Sequence, residues 1–315
     1  MKNFFNKKIS IKSVLVIIFI VSAVIYCIAY MIAINKFNSV VSYTHEKQKM
    51  YSILSEVDFA VRDNCILELN EKNIIDGLCN GYVNSFKDEN CKLFTKSEYS
   101  KYEKFRKNLS SDIQYEFLDN GILYINCICF GSNSSNDFID LIKTAVSKKT
   151  NNIILDLRNC QNGLEDEIFK ILEYLIGEEN IVTAINKYGE KEVVCSSKSK
   201  NNFNFKIAVL INGNTSGIEE IFASAVKDCV NSELIGTITA GKAVHKKLID
   251  ISNGNILLIP DAYYVTKSNF KILNKGLSPD IMINLTDEKE ELLKNQKLSK
   301  DNDEQFNKAV DFFDN

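Results

Sequence analysis

The chain has no tryptophan, 2 prolines and 2 histidines among 315 residues, and a formal net charge of only -3. Each shortage narrows the field. The two histidines, His45 and His245, and nine cysteines without a Cys-x-x-Cys pair leave a zinc site unsupported. The near-neutral charge, with no basic stripe interleaved with aromatics, gives no case for nucleic acid. Scarce Pro and Trp beside abundant Lys and Asn reads as the base composition of a low-GC gene rather than as function. Apolar residues at 45% and charged residues at 25% are ordinary for a globular protein, and the length accommodates one large domain or two modest ones.

Charge is missing altogether from residues 13–34, a run long enough to cross a bilayer as a helix. Lys2, Lys7, Lys8 and Lys12 precede it and only Lys36 follows closely. The positive-inside rule then predicts a cytoplasmic tail at 1–12, a transmembrane helix at 13–34, and everything beyond it outside the cytoplasmic membrane. A cleaved signal peptide is the rival reading. Its apolar region would be unusually long, no small-x-small cleavage site follows, and Cys27 lacks the small residues that precede a lipoprotein cysteine. The other eight cysteines are Cys65, Cys79, Cys91, Cys127, Cys129, Cys160, Cys195 and Cys229. Most read as small buried hydrophobes, and sequence assigns no disulfide among them.

The richest stretch runs from Asn212 to Asp228 and on to Gly241-Lys242. It predicts a buried strand at 207–212, a tight polar turn, and a helix with Ser216 and Glu219 in its first turn. A hydroxyl on a strand-to-helix turn with a lysine returned from a later element is the build of Ser/Lys hydrolases. The helix dipole favours developing negative charge, and a desolvated amine serves as general base.

This run resembles the carboxy-terminal processing (tail-specific) serine peptidases. Their motif is approximately Asn-x-x-Ser/Thr-Ala-Ser-Ala-Ser/Ala-Glu-Ile, then an Asp, then Gly-Lys, and it lies without gaps on Asn212, Thr215, Glu220-Ile221, Asp228 and Gly241-Lys242. The nucleophile's place falls on Gly217, with Ser216 one residue early. Further matches are Gly121-Ile-Leu-Tyr-Ile, Asp156-Leu-Arg-Asn-Cys-Gln-Asn-Gly-Leu164, Gly276-Leu-Ser-Pro-Asp280 and the closing helix at 301–313. Residues 71–105 resemble the family's helical amino-terminal segment more loosely; residues 110–120 run straight into the core strand, where the family usually carries a PDZ domain.

Strand–helix alternation by itself indicates an α/β core. The resemblance implies a crotonase/ClpP-like peptidase core at 110–285, a helical stalk and amino-terminal segment at 35–109, and a helical extension at 286–315. It further implies Lys242 as the base, Asp228 as an acid near the site, and Asn162-Gly163 as the oxyanion loop, Asn162 replacing a glycine and crowding the hole. Lys246 stands where a Gln is thought to orient the base, and its charge is expected to perturb Lys242. Ser216 reads as a displaced nucleophile or as a turn or N-cap serine. A one-residue shift at a helix start turns a side chain by about 100°, which misaims the hydroxyl. Cys160 with His245 as a substitute dyad has no support in spacing.

The expectation is a membrane-anchored extracytoplasmic pseudopeptidase that needs no cofactor and binds a peptide or protein segment, such as an exposed carboxy terminus. The alternative is an active serine endopeptidase using Ser216 with Lys242 as general base. Protease added to intact spheroplasts should digest the chain beyond residue 35; full protection in unpermeabilised cells would overturn the orientation.

Overall fold

The computed structural model describes residues 11–177, 179–201 and 203–314. Residues 1–10, most of the expected cytoplasmic tail, therefore lie outside the described residues. The chain divides into two units, Met1–Asp76 and Gly77–Asn315.

In the first unit, α1 (Ile11–Asn64) is one continuous helix, so the expected membrane span and stalk are a single element. Its stretch Val14–Ile34 has a mean hydropathy of 2.8, and its apolar side chains are exposed, Phe19 by 75%. The helix α2 (Glu71–Asn84) follows.

The second unit has two sheets. After β1 (Lys92–Phe94) and α3 (Lys96–Lys107), β2 (Asp112–Phe117) begins within five residues, so no further domain intervenes there. Then come β3 (Ile122–Cys129), α4 (Ser134–Ser147), β4 (Asn152–Asp156), α5 (Glu165–Leu175), β5 (Glu179–Asn186) and β6 (Lys191–Ser197). Next are β7 (Lys206–Ile211), α6 (Ile218–Cys229), β8 (Asn231–Gly236), β9 (Val244–Asp250) and β10 (Ile256–Val265). The chain ends with β11 (Ile281–Met282), α7 (Asp287–Lys294) and α8 (Glu304–Asp311).

The larger sheet has the order β11-β8-β7-β4-β3-β2, parallel except for β2 at its edge. Its inner strands are apolar on both faces because both are covered. Leu123, Ile125, Ile153, Leu155, Ile207 and Val209 join the core shared with α4, α5 and α6. The alternate residues Ile122, Ile154, Ala208 and Leu210 pack with Phe306 and Ala309 of α8. The smaller sheet is antiparallel: β9 pairs with β10, which also pairs with β1 and β5, and β6 flanks β5. The nine cysteines are free thiols; Cys127, Cys160 and Cys195 are buried, fewer than the sequence suggested.

A buried ion network joins two distant motifs. Arg158, just past β4, meets Asp156 at 2.6 Å and Asp303 at 2.8 Å, and donates to Gln305 at 2.9 Å. Asp303 also caps α8 by accepting from the Gln305 and Phe306 N–H groups. The Asp-Leu-Arg segment thus holds the closing helix against the sheet. Removing the cation would leave two buried carboxylates facing each other. Arg158→Ala is expected to lower stability by about 3–5 kcal/mol in urea unfolding followed by circular dichroism; a loss under about 1 kcal/mol, typical of an exposed pair, would contradict this role.

Candidate active-site cleft

The loops that leave the carboxyl ends of β4 and β7 meet beside the parallel sheet, as expected for an open α/β fold. Asn212 fastens them together: its Oδ1 accepts from the Asn159 and Asn214 N–H groups at 2.9 and 3.1 Å. Thr215 Oγ1 donates to the Leu157 carbonyl at 2.8 Å, and the Ser216 N–H donates to the Cys160 carbonyl at 3.1 Å. Together with the smaller sheet and α3, these loops line a cleft of about 630 Å³ containing Asn162, Gly163, Ser216, Gly217, Glu219, Lys242 and Lys246. That volume is typical of ligand pockets.

Two adjacent glutamates at the start of α6, both fully buried, organise the floor. Glu220 accepts from Thr239 Oγ1 at 2.5 Å, the Gly241 N–H at 2.6 Å, the Lys242 N–H at 2.8 Å and the Gly217 N–H at 2.9 Å. It thereby ties the first turn of α6 to the loop that delivers Lys242. Glu219 Oε1 accepts the Gly163 N–H at 2.6 Å, while Oε2 has no hydrogen-bond partner among the described residues. Burial raises its pKa to about 7, against the lowering effect of its own and the Gly163 N–H and of the Arg106 and Lys246 charges. Arg106 steadies the same loop from the other side, donating to the Asn162 and Gly163 carbonyls at 2.8 and 3.0 Å.

Gly217 precedes the helix with φ 87° and ψ -131°, a conformation essentially confined to glycine. A Cβ there would stand 3.5 Å from Glu219 Oε2. At Gly163 a Cβ would come within 2.5 Å of Glu219 Oε1, so any side chain there requires the glutamate to shift.

The structure brings most of the sequence-derived residues together but alters several roles. Asn162 lines the cleft but is exposed, and it takes a left-handed φ of 66°, which Asn tolerates. The group on the Gly163 N–H is Glu219 instead. Lys242 is not a buried amine of lowered pKa. Its side chain is 52% exposed and bonds Glu89 at 2.7 Å, a contact that raises its pKa. Ser216 lines the cleft, yet among the described residues its hydroxyl makes no hydrogen bond to that amine.

The charge of Lys246 is felt at Glu219, while the leading influence on Lys242 is Glu89. Lys246 is open to solvent on one side, and burial of its amine among the cleft walls, with the Arg106 guanidinium, holds its pKa below the ordinary lysine value. Asp228 is a strut rather than a cleft residue. It lies eleven residues along from Gly217, roughly 16 Å at the helical rise, and accepts from Thr266 and Ser268. Cys160 is fully buried, and His245 Nδ1 is taken by Asp261 at 2.6 Å, so no dyad forms.

Sequence reasoning missed three contributors. Glu219 carried a signal, because it stands where the resembled motif has Ser or Ala. Glu220 was a motif anchor without an assigned task. Arg106 is brought in from α3 across 56 residues and left no local signal.

An α/β chain with a strand-to-helix turn, a facing glycine loop and a lysine-bearing return loop around one cleft has the layout of a Ser/Lys peptidase core. The model of peptidase family S41 matches residues 121–283, and the chain belongs to this family. A probable CtpA-like serine protease of Staphylococcus epidermidis is 31% identical over 174 residues, 54% of this chain and 35% of that relative. One from Staphylococcus haemolyticus is 27% identical over the same length. The chain thus matches about a third of the length of these relatives. Among solved structures, a lipoprotein from Streptococcus agalactiae superposes with a TM-score of 0.54 at 17% identity, covering 73% of this chain and 82% of that one. The photosystem II D1 C-terminal processing protease gives 0.50 at 21% identity, covering 59% and 47%. At such identities the likeness is one of fold.

Glu219 yields a pH prediction. Its folded pKa of about 7 lies above the ordinary 4.5, so its contribution to stability is complete below pH 4.5 and is lost as pH rises through 7. The span corresponds to about 3 kcal/mol. Unfolding measured from pH 4.5 to 8.5 should show this decline in the native chain and a flatter profile in Glu219→Gln. Parallel profiles would mean that the carboxyl is not the buried acid described.

Proposed function

We propose that this chain is a membrane-anchored, extracytoplasmic S41 protein whose peptidase site no longer performs acyl transfer and whose cleft holds a peptide or protein segment. The observation that supports this most is the carboxyl of Glu219 seated on the Gly163 N–H. Acyl transfer needs that donor free for the developing oxyanion, and losing one such donor typically costs about 10²–10³ in rate. The other requirements point the same way. Gly217 has no nucleophile to offer, and the Lys242 amine is ion-paired and exposed, with a pKa moved away from that of a general base. The cleft itself is retained, with a volume suited to a short segment of chain.

Anchoring rests on the 21 residues of Val14–Ile34, whose apolar side chains find no cover within the described residues. A bilayer supplies that cover for a helix of this length. The lysines ahead of it favour an outside location for the family domain.

Incubating the full chain in detergent micelles with a fluorophosphonate probe and an unstructured reporter peptide tests the reading. No labelling and no cleavage are expected, while fluorescence polarisation should register binding of the intact peptide. Labelling that Ser216→Ala abolishes would establish the serine endopeptidase instead. Gly217→Ser alone should gain no strong activity, since the strained backbone costs about 1–3 kcal/mol and Glu219 still holds the oxyanion donor.

A further inference from the structure

The walls of the cleft carry an imbalance that the overall charge of -3 conceals. Among its lining residues are the cations Lys92, Arg106, Lys242 and Lys246 and the carboxylates Glu89, Glu165 and Glu219. Each carboxylate is already engaged. Glu89 pairs with Lys242, Glu165 accepts from the Tyr264 hydroxyl at 2.5 Å, and Glu219 is buried on the Gly163 N–H. Arg106 spends its two terminal nitrogens on the Asn162 and Gly163 carbonyls. Lys92, Arg106 and Lys246 therefore have no carboxylate partner within salt-bridge distance among the described residues.

The sheet places two of these cations on one surface. Lys92 of β1 sits opposite Leu258 of β10, and Leu258 sits opposite Leu248 of β9. Lys246 is two residues from Leu248 along β9, so the alternation of a strand puts it on the same face. Leu258 lines the cleft with both lysines. Arg106 completes the cluster from α3, and the amine of Lys246 feels both Arg106 and Lys92 as like charges, with Glu165 and Glu219 as the opposing ones. Three cations held near one another, none in ion-pair contact among the described residues, favour a ligand that brings carboxylates within reach.

We propose that the cleft selects an acidic peptide segment, whose carboxylates lie against Lys92, Arg106 and Lys246. This rests on the peptide-binding reading given above and adds the chemistry of the ligand. Side-chain methylenes of the segment would rest on Val244 and Leu258, the apolar residues of the same lining.

The test uses the full chain in uncharged detergent and two fluorescent unstructured peptides, identical except that glutamates in one are glutamines in the other. At low ionic strength the glutamate peptide is expected to bind about tenfold or more tightly than its glutamine twin, and added salt should narrow the gap. The double variant Lys92→Gln and Lys246→Gln should erase most of the preference without lowering the melting temperature. Lys247→Gln, on the opposite face of β9, should leave it intact. Equal affinity for the two peptides, or a preference that survives in the double variant, overturns the acidic selectivity while leaving peptide binding standing. Failure of both peptides to bind overturns the peptide-binding reading together with it.

Discussion

The carboxylate of Glu220 is the interaction on which the cleft depends. It is fully buried and accepts four hydrogen bonds, from Thr239, Gly241, Lys242 and Gly217. An ion so deeply placed is tolerable only because its lone pairs are filled. Each donor comes from a segment that has to be positioned: the turn before α6, and the loop that follows β8. Substituting an apolar side chain would leave three backbone N–H groups and a hydroxyl without an acceptor at once. The scaffold of the cleft is thus held by a group distinct from the residues at the 217 and 242 positions.

Glu219, one residue earlier, has the opposite character. Its carboxyl is also buried, but among the described residues one oxygen is unpartnered, while the other accepts the Gly163 N–H. An unsatisfied buried oxygen costs about 1–3 kcal/mol, and burial raises the pKa of the group. Such a residue is hard to account for as a stabilising device. Its effect on the site is nevertheless definite, because its carboxyl lies against both Gly163 and Gly217. The Glu219 side chain lies between Gly163 and Gly217, so these positions are coupled in space.

Much of this was legible in the sequence because it depends on local periodicity and on motifs of fixed spacing. The apolar runs gave β4 and β7, the amphipathic spacing gave α4 and α5, and the gap-free motif placed Gly217 and Lys242 at one cleft. What could not be read were directions of side chains and contacts over long separations. Lys242 is on the loop the motif assigns it, but its amine follows Glu89, 153 residues away. Asp228 fits the motif's acid, yet the helix carries it to the far end from Gly217. Arg158 and Asp303 looked like separate family signatures and prove to be two halves of one buried ion network. Asn162 looked obstructive because replacement of glycine suggests bulk; a left-handed φ that Asn can adopt left its side chain in solvent.

The backbone of Gly217 makes a serine hard to introduce there by a single substitution. Its φ of 87° and ψ of -131° are cheap only for glycine, and Glu219 packs against the space a side chain would enter. A hydroxyl restored at this position would meet the Glu219 carboxylate and find it a better partner than an ion-paired lysine. Removing Glu219 alone would free the Gly163 N–H but supply no nucleophile. Residues that act as a unit in catalysis are strongly non-additive, so each single step back offers little gain while carrying a stability cost. Glu219 and Gly217 line the same cleft as Lys92, Lys246 and Leu258, so a substitution at either bears on the cleft as a whole.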